Sequence, residues 1–386
     1  MSLKPFSKLR RDRDIIQSVK HFAGKVGSKL PLRIVLIVPF VLQVLGTVGL
    51  VGYFSFRNGQ QTVNNLTAEM RRELTSRIED KLKSYAETPH AINRLNASGF
   101  AQGNIDVDNA KGEYPFWQQI QIFPSTSFVY CGSERSGEFL GVGRLDGENS
   151  LLVRASNAST GYVSYFYSLD LKGNRTQLVR KDTKILDSRI RPWYKAAVAA
   201  GQPTWSEIYL DFTTLLPTVT ASLPVYNTTD NSLRGGCATD LYLPQEMSQF
   251  LKSLEIGKTG SAFIMERSGL LVSTSTKEPM TVGSGESAKR LPATESGNPT
   301  VQATAVYLRD RFGDFQQLQV SQQLDFSMDG KRQLVQVLPF KDNYGLDWLI
   351  VIVIPEADFM QQIYENTRIT ILLSIAALII SILICI

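Results

Sequence analysis

The residues with the clearest capacity for chemistry lie in one short stretch, Asp187–Tyr194, near the middle of the 386-residue chain. It places two guanidinium groups, those of Arg189 and Arg191, beside the large aromatic side chains of Trp193 and Tyr194. The planar fork of an arginine can bind a carboxylate through two parallel hydrogen bonds. Neighbouring aromatic rings exclude water from such a pair. The stretch therefore predicts one wall of a pocket for a small molecule that carries an acid group.

Three residues further along the chain could complete this pocket. Asp211 and Asp240 can pair with an ammonium group, and Tyr209 can offer that group a π face. Arg191 would then bind the carboxylate of a zwitterionic ligand. A second interpretation stays open on the residues alone: Arg191 bonds backbone carbonyls, and the two aromatic residues that follow it belong to a core under a helix.

Residue types that support catalysis or metal binding are scarce. The chain has 2 histidines, His21 and His90, which are too few for a histidine metal cluster and argue against a Ser/His/Asp triad. The run Gly257–Thr259 resembles part of a phosphate-binding loop, but Lys252 occupies the position of the earlier glycine that the motif requires. We therefore predict a hairpin turn there, and no enzyme activity, cofactor or metal for this region.

The positive charge of the chain is concentrated at one end. Residues 1–33 carry nine basic and two acidic side chains, whereas the whole chain has a net charge of only +5, so the remainder is close to neutral. The basic residues precede a hydrophobic stretch and are not interleaved with aromatic residues. Nucleic-acid binding is therefore not predicted.

Two apolar stretches frame the rest of the chain. Ile34–Phe56 contains no charge and is long enough to cross a hydrocarbon core of about 30 Å, so it predicts a retained transmembrane helix rather than a cleaved signal peptide. Ile369–Ile386 is also uncharged and predicts a second span. The basic N-terminus indicates a cytoplasmic start. We expect a multi-pass protein of the inner (plasma) membrane, with residues 57–366 extracytoplasmic and a cytoplasmic output region beyond the fragment.

The outer segment shows the patterns of an α+β fold. Apolar residues recur at three- and four-residue steps over Gly59–Asn96, which predicts one long helix. Short β-branched and aromatic runs separated by turns then predict an antiparallel sheet up to Leu241. A second, smaller unit begins at Ile256 and closes with the predicted hairpin Leu334–Phe340 and Trp348–Ile354. Cys131 and Cys237 fit either one disulfide or two buried free thiols, and the thiols are slightly favoured.

Four segments of the chain occur in the order found in a known family: Arg191–Tyr194, Gly236–Leu241, Ile256–Ile264 and Trp348–Val351. With them, residues 57–366 resemble the double Cache (dCache) family of extracytoplasmic sensor domains. The resemblance implies an α+β fold in which a long N-terminal helix is followed by two PAS-like antiparallel-sheet modules, flanked by two transmembrane helices. It also implies a homodimer formed through the long helix.

The domain organisation expected from this resemblance has six parts. They are a cytoplasmic basic tail (1–33), transmembrane helix 1 (34–56), a long stalk helix (57–98), a membrane-distal Cache module (99–255), a membrane-proximal Cache module (256–366) and transmembrane helix 2 (367–386).

The resemblance also implies a ligand site in the membrane-distal module. The family's amino-acid-binding pattern matches Arg191, Trp193, Tyr194, Tyr209, Asp211 and Asp240. The pattern's first tyrosine falls at Leu186, so the chain departs from the family there. The expected function is sensing of a small molecule, amino-acid- or amine-like, with the signal passed by helix displacement to an output module such as a kinase or cyclase. The alternative is a membrane-tethered binding or adhesion module with no output.

Overall fold

The structure is a computed structural model that describes residues 32–144, 150–283 and 287–385. The basic tail predicted at residues 1–33 lies outside the described residues except for its last two positions. The chain divides into two compact units. One contains the residues up to Thr67 and those from Phe359 onward, and the other spans Ala68–Asp358.

The described residues form six α-helices and two main antiparallel sheets, which confirms the α+β class and the order of a long helix followed by two sheets. The helices are α1 (Leu32–Ala101), α2 (Tyr114–Ile122), α3 (Pro192–Ala200), α4 (Leu243–Ser253), α5 (Pro299–Phe312) and α6 (Ala357–Cys385).

The first sheet is formed by nine strands of the described residues, in the order β5-β4-β3-β2-β1-β9-β8-β6, with β7 also paired to β8. The strands are β1 (Phe128–Ser133), β2 (Phe139–Gly143), β3 (Leu152–Ser156), β4 (Val163–Leu169), β5 (Arg175–Ile185), β6 (Thr204–Trp205), β7 (Tyr209–Leu210), β8 (Pro217–Tyr226) and β9 (Leu233–Tyr242). All neighbouring pairs are antiparallel.

The central strands of this sheet are buried on both faces, and successive side chains point to opposite sides. On β1, Val129 and Cys131 face a core shared with Ile92 of α1 and Phe116 of α2. Tyr130, between them, faces a second cluster that includes Trp193 of α3. The second face therefore carries the predicted site residues together with α3, and the first packs against α1 and α2.

The second sheet has five strands among the described residues, in the order β11-β10-β16-β15-β14. They are β10 (Ser261–Glu266), β11 (Leu271–Thr274), β14 (Gln322–Met328), β15 (Lys331–Lys341) and β16 (Asp347–Pro355), and a separate pair is formed by β12 (Thr281–Val282) and β13 (Lys289–Arg290). Helix α5 packs its buried Val301, Ala305 and Leu308 on one face of this sheet. The hairpin β15–β16 confirms the predicted final hairpin.

The run Gly257–Thr259 forms the predicted turn. Gly257 has a φ of +62°, a conformation that residues with a Cβ rarely adopt. The backbone N–H groups of Lys258 and Thr259 donate to the Asp358 carboxylate at 2.8 and 2.7 Å, and the Thr259 hydroxyl donates at 2.8 Å. The turn is thus held by a side chain of its own domain.

Two expectations need correction. The long helix was expected to end at Asn96 but continues to Ala101, because the Asn96 amide is paired with Gln119 at 2.9 and 2.8 Å and Phe100 is buried in the core. The favoured free thiols are wrong: Cys131 and Cys237 form a disulfide. The two residues lie directly opposite each other on β1 and β9, and this pairing brings their side chains together.

Four side chains, called here the junction cluster, link α1 to both sheets: His90, Trp205, Asp342 and Tyr344. The indole Nε1 of Trp205 donates to Asp342 Oδ2 at 2.6 Å. The His90 ring stacks on Tyr344 with centroids 3.7 Å apart and meets the edge of Trp205 at 4.8 Å. The first sheet thereby contacts the β15–β16 turn through one short segment, Thr204–Asp211, which contains β6 and β7.

One helix among the described residues is long and apolar enough to cross a membrane, and its candidate segment begins at Ile37 within α1. At the other end of the chain, the apolar helical segment recognised in the described residues is Arg368–Ala377, which is shorter than a span requires. The second transmembrane helix therefore stays a prediction.

Candidate functional site

A small cavity lies on the face of the first sheet that carries Trp193 and α3. Eleven of the described residues line it: Phe128, Tyr130, Phe139, Arg154, Leu186, Arg191, Trp193, Tyr209, Asp211, Phe212 and Asp240. Five of the six side chains predicted from the sequence are thus brought together. The sixth, Tyr194, lies beside the cavity without lining it. The role of all six in ligand binding stays a prediction.

Asp240 lies on β9 directly opposite Thr220 of β8 and is 2% exposed. Its Oδ1 accepts hydrogen bonds from the hydroxyls of Tyr130 at 2.8 Å and Thr220 at 2.7 Å. Oδ2 has no hydrogen-bond partner within the described part of the chain. Burial, reinforced by the nearby charge of Asp211, raises the pKa of Asp240 to about 8. The acid is therefore mostly protonated at neutral pH, and a bound cation would favour its ionised form.

Arg191 is placed by the start of α3. It follows a 3₁₀ turn, Ser188–Ile190, and takes the N-cap position in an extended conformation, with Pro192 at the first helical position. Its guanidinium lies over the Phe212 ring, 4.3 Å from the ring centroid. Nε is buried and has no hydrogen-bond partner in the described residues. Burial lowers the pKa of Arg191, and the neighbouring cation of Arg154 lowers it further.

Asp211 organises the loop that follows β7. Its Oδ1 accepts from the backbone N–H groups of Thr213 and Thr214 at 3.0 and 2.7 Å, and from the Thr214 hydroxyl at 2.9 Å. These bonds hold the turn that carries Phe212 to the cavity. Tyr209, two residues earlier, has its hydroxyl 2.8 Å from the Thr220 hydroxyl. Burial raises the pKa of Tyr209 well above its usual value, so its phenol stays protonated.

Trp193 reaches the cavity because two glycines leave room for its ring. Gly132 of β1 and Gly236 of β9 are directly paired, and an added Cβ would lie 3.1 and 3.3 Å from the Trp193 ring. The ring meets Tyr130 edge-on, with centroids 5.0 Å apart. Tyr194 points elsewhere: its hydroxyl donates to the Glu134 carboxylate at 2.7 Å.

Sequence reasoning missed several lining residues, of which Arg154 carries a charge. Its strand, Leu152–Ser156, is buried along its whole length. A single arginine in a short apolar strand was the available signal, because a charged residue is rarely buried without a partner. Tyr130, Phe128 and Phe139 gave no comparable signal, since aromatic residues are common in strands that only form a core.

The cavity is narrow in this conformation. Water-sized spheres can occupy about 20 Å³ of it, which is the space of roughly one ordered water. A ligand larger than that must displace side chains or extend beyond the cavity. Phe212, which is 56% exposed, borders both the cavity and the outside and is the most exposed of the lining residues.

The structural class is an α+β fold in which a long helix is followed by two antiparallel sheets, with a small cavity on one face of the first sheet. Residues 58–363, which are most of the chain, match the dCache family model, whose description is Cache domain. The protein therefore belongs to the dCache family.

Solved structures that are similar to this chain include the sensory and ligand-binding domains of several signalling proteins. The sensory domain of the Campylobacter jejuni chemoreceptor Tlp3 has a TM-score of 0.48 and 14% identity, covering 78% of this chain and 99% of that one. The extracellular domain of a putative histidine kinase, mmHK1S-Z2, has 0.47 and 15%, covering 76% and 99%. The Pseudomonas aeruginosa PctC domain in complex with GABA has 0.42 and 19%, covering 74% and 98%.

Proposed function

We propose that this chain is the sensing region of a transmembrane signal-transduction receptor, and that its ligand is a small amino-acid- or amine-like molecule. The observation that carries the proposal is the pairing of unsatisfied groups in one cavity. Arg191 offers a half-buried guanidinium whose buried Nε has no hydrogen-bond partner in the described residues, and Asp240 offers a carboxyl oxygen that has none there either. Aromatic side chains line the same cavity and would exclude water from both groups.

The chemistry of these groups fits a zwitterion. A ligand carboxylate would neutralise the guanidinium of Arg191, which is costly to keep buried without an anion. A ligand ammonium would draw Asp240 into its charged form. Leu186, in place of the family's tyrosine, lines the cavity with an apolar surface and without a hydroxyl. The proposal therefore favours a ligand with an apolar group that contacts Leu186.

The proposal includes an extracytoplasmic location for residues 57–366 and a multi-pass topology in the inner membrane. The disulfide between Cys131 and Cys237 supports an oxidising compartment. Ligand binding would then shift α1 and α6, acting on a homodimer, to pass the signal to a cytoplasmic output module. Such a shift is limited by the difference in ligand affinity between the two states.

The test uses the purified full chain in lipid nanodiscs, with thermal unfolding followed in the presence of each L-amino acid and of short primary amines. A ligand that binds the folded protein raises the melting temperature by mass action. For any such ligand, Arg191→Ala and Asp240→Asn should each raise the Kd by about tenfold to a hundredfold, because each removes a charge-assisted hydrogen bond.

Arg189→Ala is the matched control. Arg189 lies two residues from Arg191 but pairs with Asp187 at 2.8 Å and does not line the cavity, so its loss should leave the Kd unchanged. Unchanged affinity in Arg191→Ala and Asp240→Asn would show that the cavity is not the binding site. The absence of any stabilising compound would count against the sensing function itself.

A further inference from the structure

A second buried guanidinium faces the same cavity as Arg191. Arg154 lies in the middle of β3, and its side chain is 9% exposed. It lines the cavity together with Arg191. Its Nε donates to Ser164 Oγ at 3.0 Å, and its Nη1 donates to Thr213 Oγ1 at 3.0 Å. Both partners are uncharged hydroxyls, so these bonds orient the guanidinium without neutralising it.

Among the described residues, nearby carboxylates compensate the charge of Arg154 only in part. Its one ion pair, from Nη2 to Asp182, is 3.9 Å long, and Asp182 also lies 3.6 Å from the more exposed Arg180. Asp211 uses Oδ1 for the turn that follows β7. Burial lowers the pKa of Arg154, and Asp211 and Asp182 oppose that effect. A buried cation without a close counter-ion is unfavourable, and an anionic ligand would remove that cost.

Arg154 also borders a wider groove outside the cavity. This outer groove has a volume of about 700 Å³ and shares Arg154, Leu186, Arg191 and Phe212 with the cavity. Because the cavity alone has space for roughly one water, a ligand bound at Arg191 that leaves the lining side chains in place extends into this groove. Its far end would then pass Arg154.

We infer that the ligand carries two acid groups: a short dicarboxylate, acidic amino acids included, with one carboxylate bound by Arg191 and the other by Arg154. The inference rests on the proposed function and assigns Arg154 as the residue that selects the second acid group. Two guanidinium groups bordering both the cavity and the outer groove are what such a ligand requires, since each fork binds one carboxylate bidentately.

The experiment measures Kd by calorimetry on the full chain in nanodiscs for three matched pairs: L-glutamate and L-glutamine, L-aspartate and L-asparagine, succinate and butyrate. At least one acidic member should bind about tenfold or more tightly than its partner, which lacks the second acid group. Arg154→Gln should reduce that ratio by about tenfold to a hundredfold, because it removes one charge-assisted pair and leaves Arg191 in place.

Arg180→Gln is the matched control, since Arg180 approaches the same Asp182 and stacks on Phe166 at 3.8 Å but does not line the cavity. It should leave the ratio unchanged. Arg154→Lys gives the same test where glutamine does not fold: the charge is kept, the fork is lost, and the ratio should fall.

Partners without the second acid group that bind as tightly as the acidic members, or an unchanged ratio in the Arg154 variants, would overturn the inference and leave the sensing function intact. If none of the six compounds binds while another amino acid or amine does, the inference also fails alone. If no compound of either kind binds, both fail.

Discussion

Asp240 is a carboxylic acid kept neutral by its surroundings, and this has a measurable consequence for stability. Its pKa is raised by burial to about 8 in the folded protein, against 3.8 for the ordinary group. Between these values the folded chain holds a proton that the unfolded chain releases. The free energy of unfolding therefore falls as pH rises through that window, by at most about 1.4 kcal/mol per pH unit.

Asp240→Asn should remove this pH dependence. Asparagine keeps an Oδ1 acceptor for Tyr130 and Thr220 but cannot ionise. The variant should therefore gain stability over the wild type progressively from pH 5 to pH 8, by about 1–3 kcal/mol at the upper end. Urea unfolding of the full chain in nanodiscs at several pH values measures this difference.

The control for that measurement is Asp170→Asn. Asp170 lies in an exposed turn, and hydrogen bonds from the Asn174 side chain and backbone lower its pKa. Its ionisation is complete above about pH 5, so the variant should differ from the wild type by the same amount at pH 5 and pH 8. Parallel profiles for Asp240→Asn and the wild type would contradict the buried, protonated state.

At the scale of single residues, the sequence indicated the cavity residues where several charged and aromatic side chains are near neighbours in the chain. Arg191 and Trp193 are near neighbours in the chain, and a charge beside large aromatics is uncommon enough to attract notice. Arg154 on β3 and Tyr130 on β1 both lie opposite Gly141 of β2, so the register of the sheet brings them together. The lining of a cavity by such residues follows from strand order, which local patterns do not determine.

At the scale of elements, periodicity predicted the strongly patterned segments well. The strands β15 and β16 were expected close to their observed bounds. The strand β14 was missed, because its side chains are mostly half-exposed or exposed and show no clear apolar run. The segment Trp205–Asp211 was expected to form one strand, whereas the structure has two strands of two residues there, β6 and β7, and the segment carries Tyr209 to the cavity.

The junction cluster gives a prediction about this same segment. Trp205→Phe keeps an aromatic ring against His90 but removes the N–H that donates to Asp342. A hydrogen bond to a charged acceptor is worth about 1.5–3 kcal/mol, and less where water reaches it, so the loss should be about 1 kcal/mol in the free energy of unfolding.

A double-mutant cycle with Asp342→Asn isolates the pair. The substituted amide is expected to retain the oxygen that accepts from the backbone N–H groups of Tyr344 and Gly345, so the turn should persist. The coupling energy should be about 1 kcal/mol, whereas independent effects that simply add would show that the hydrogen bond does not join the two sheets.

At the scale of the whole molecule, the disulfide ties the two central strands of the first sheet across 106 residues of sequence. Replacing Cys131 and Cys237 together by alanine should lower the free energy of unfolding by about 4 kcal/mol, because a long loop then gains freedom in the unfolded chain. Urea unfolding of the full chain measures the loss.

Cys385→Ala is the control for this pair, since Cys385 lies in α6 and is not part of the disulfide. It should leave the stability of the unit Ala68–Asp358 unchanged. Thiol titration of the unreduced, unfolded wild type should find one reactive thiol per chain. Three would show that the bond is absent.

The segment Thr204–Asp211 holds Trp205 at the junction cluster and Tyr209 and Asp211 at the cavity, a few residues apart. Under the proposed function, ligand binding and docking onto the second sheet are two equilibria that act on the same short piece of backbone. Thermodynamic linkage makes such effects reciprocal. If ligand binding changes the equilibrium constant of the contact with Asp342 by some factor, then that contact changes the ligand's affinity by the same factor. The second sheet would therefore shift the ligand concentration that the first sheet detects.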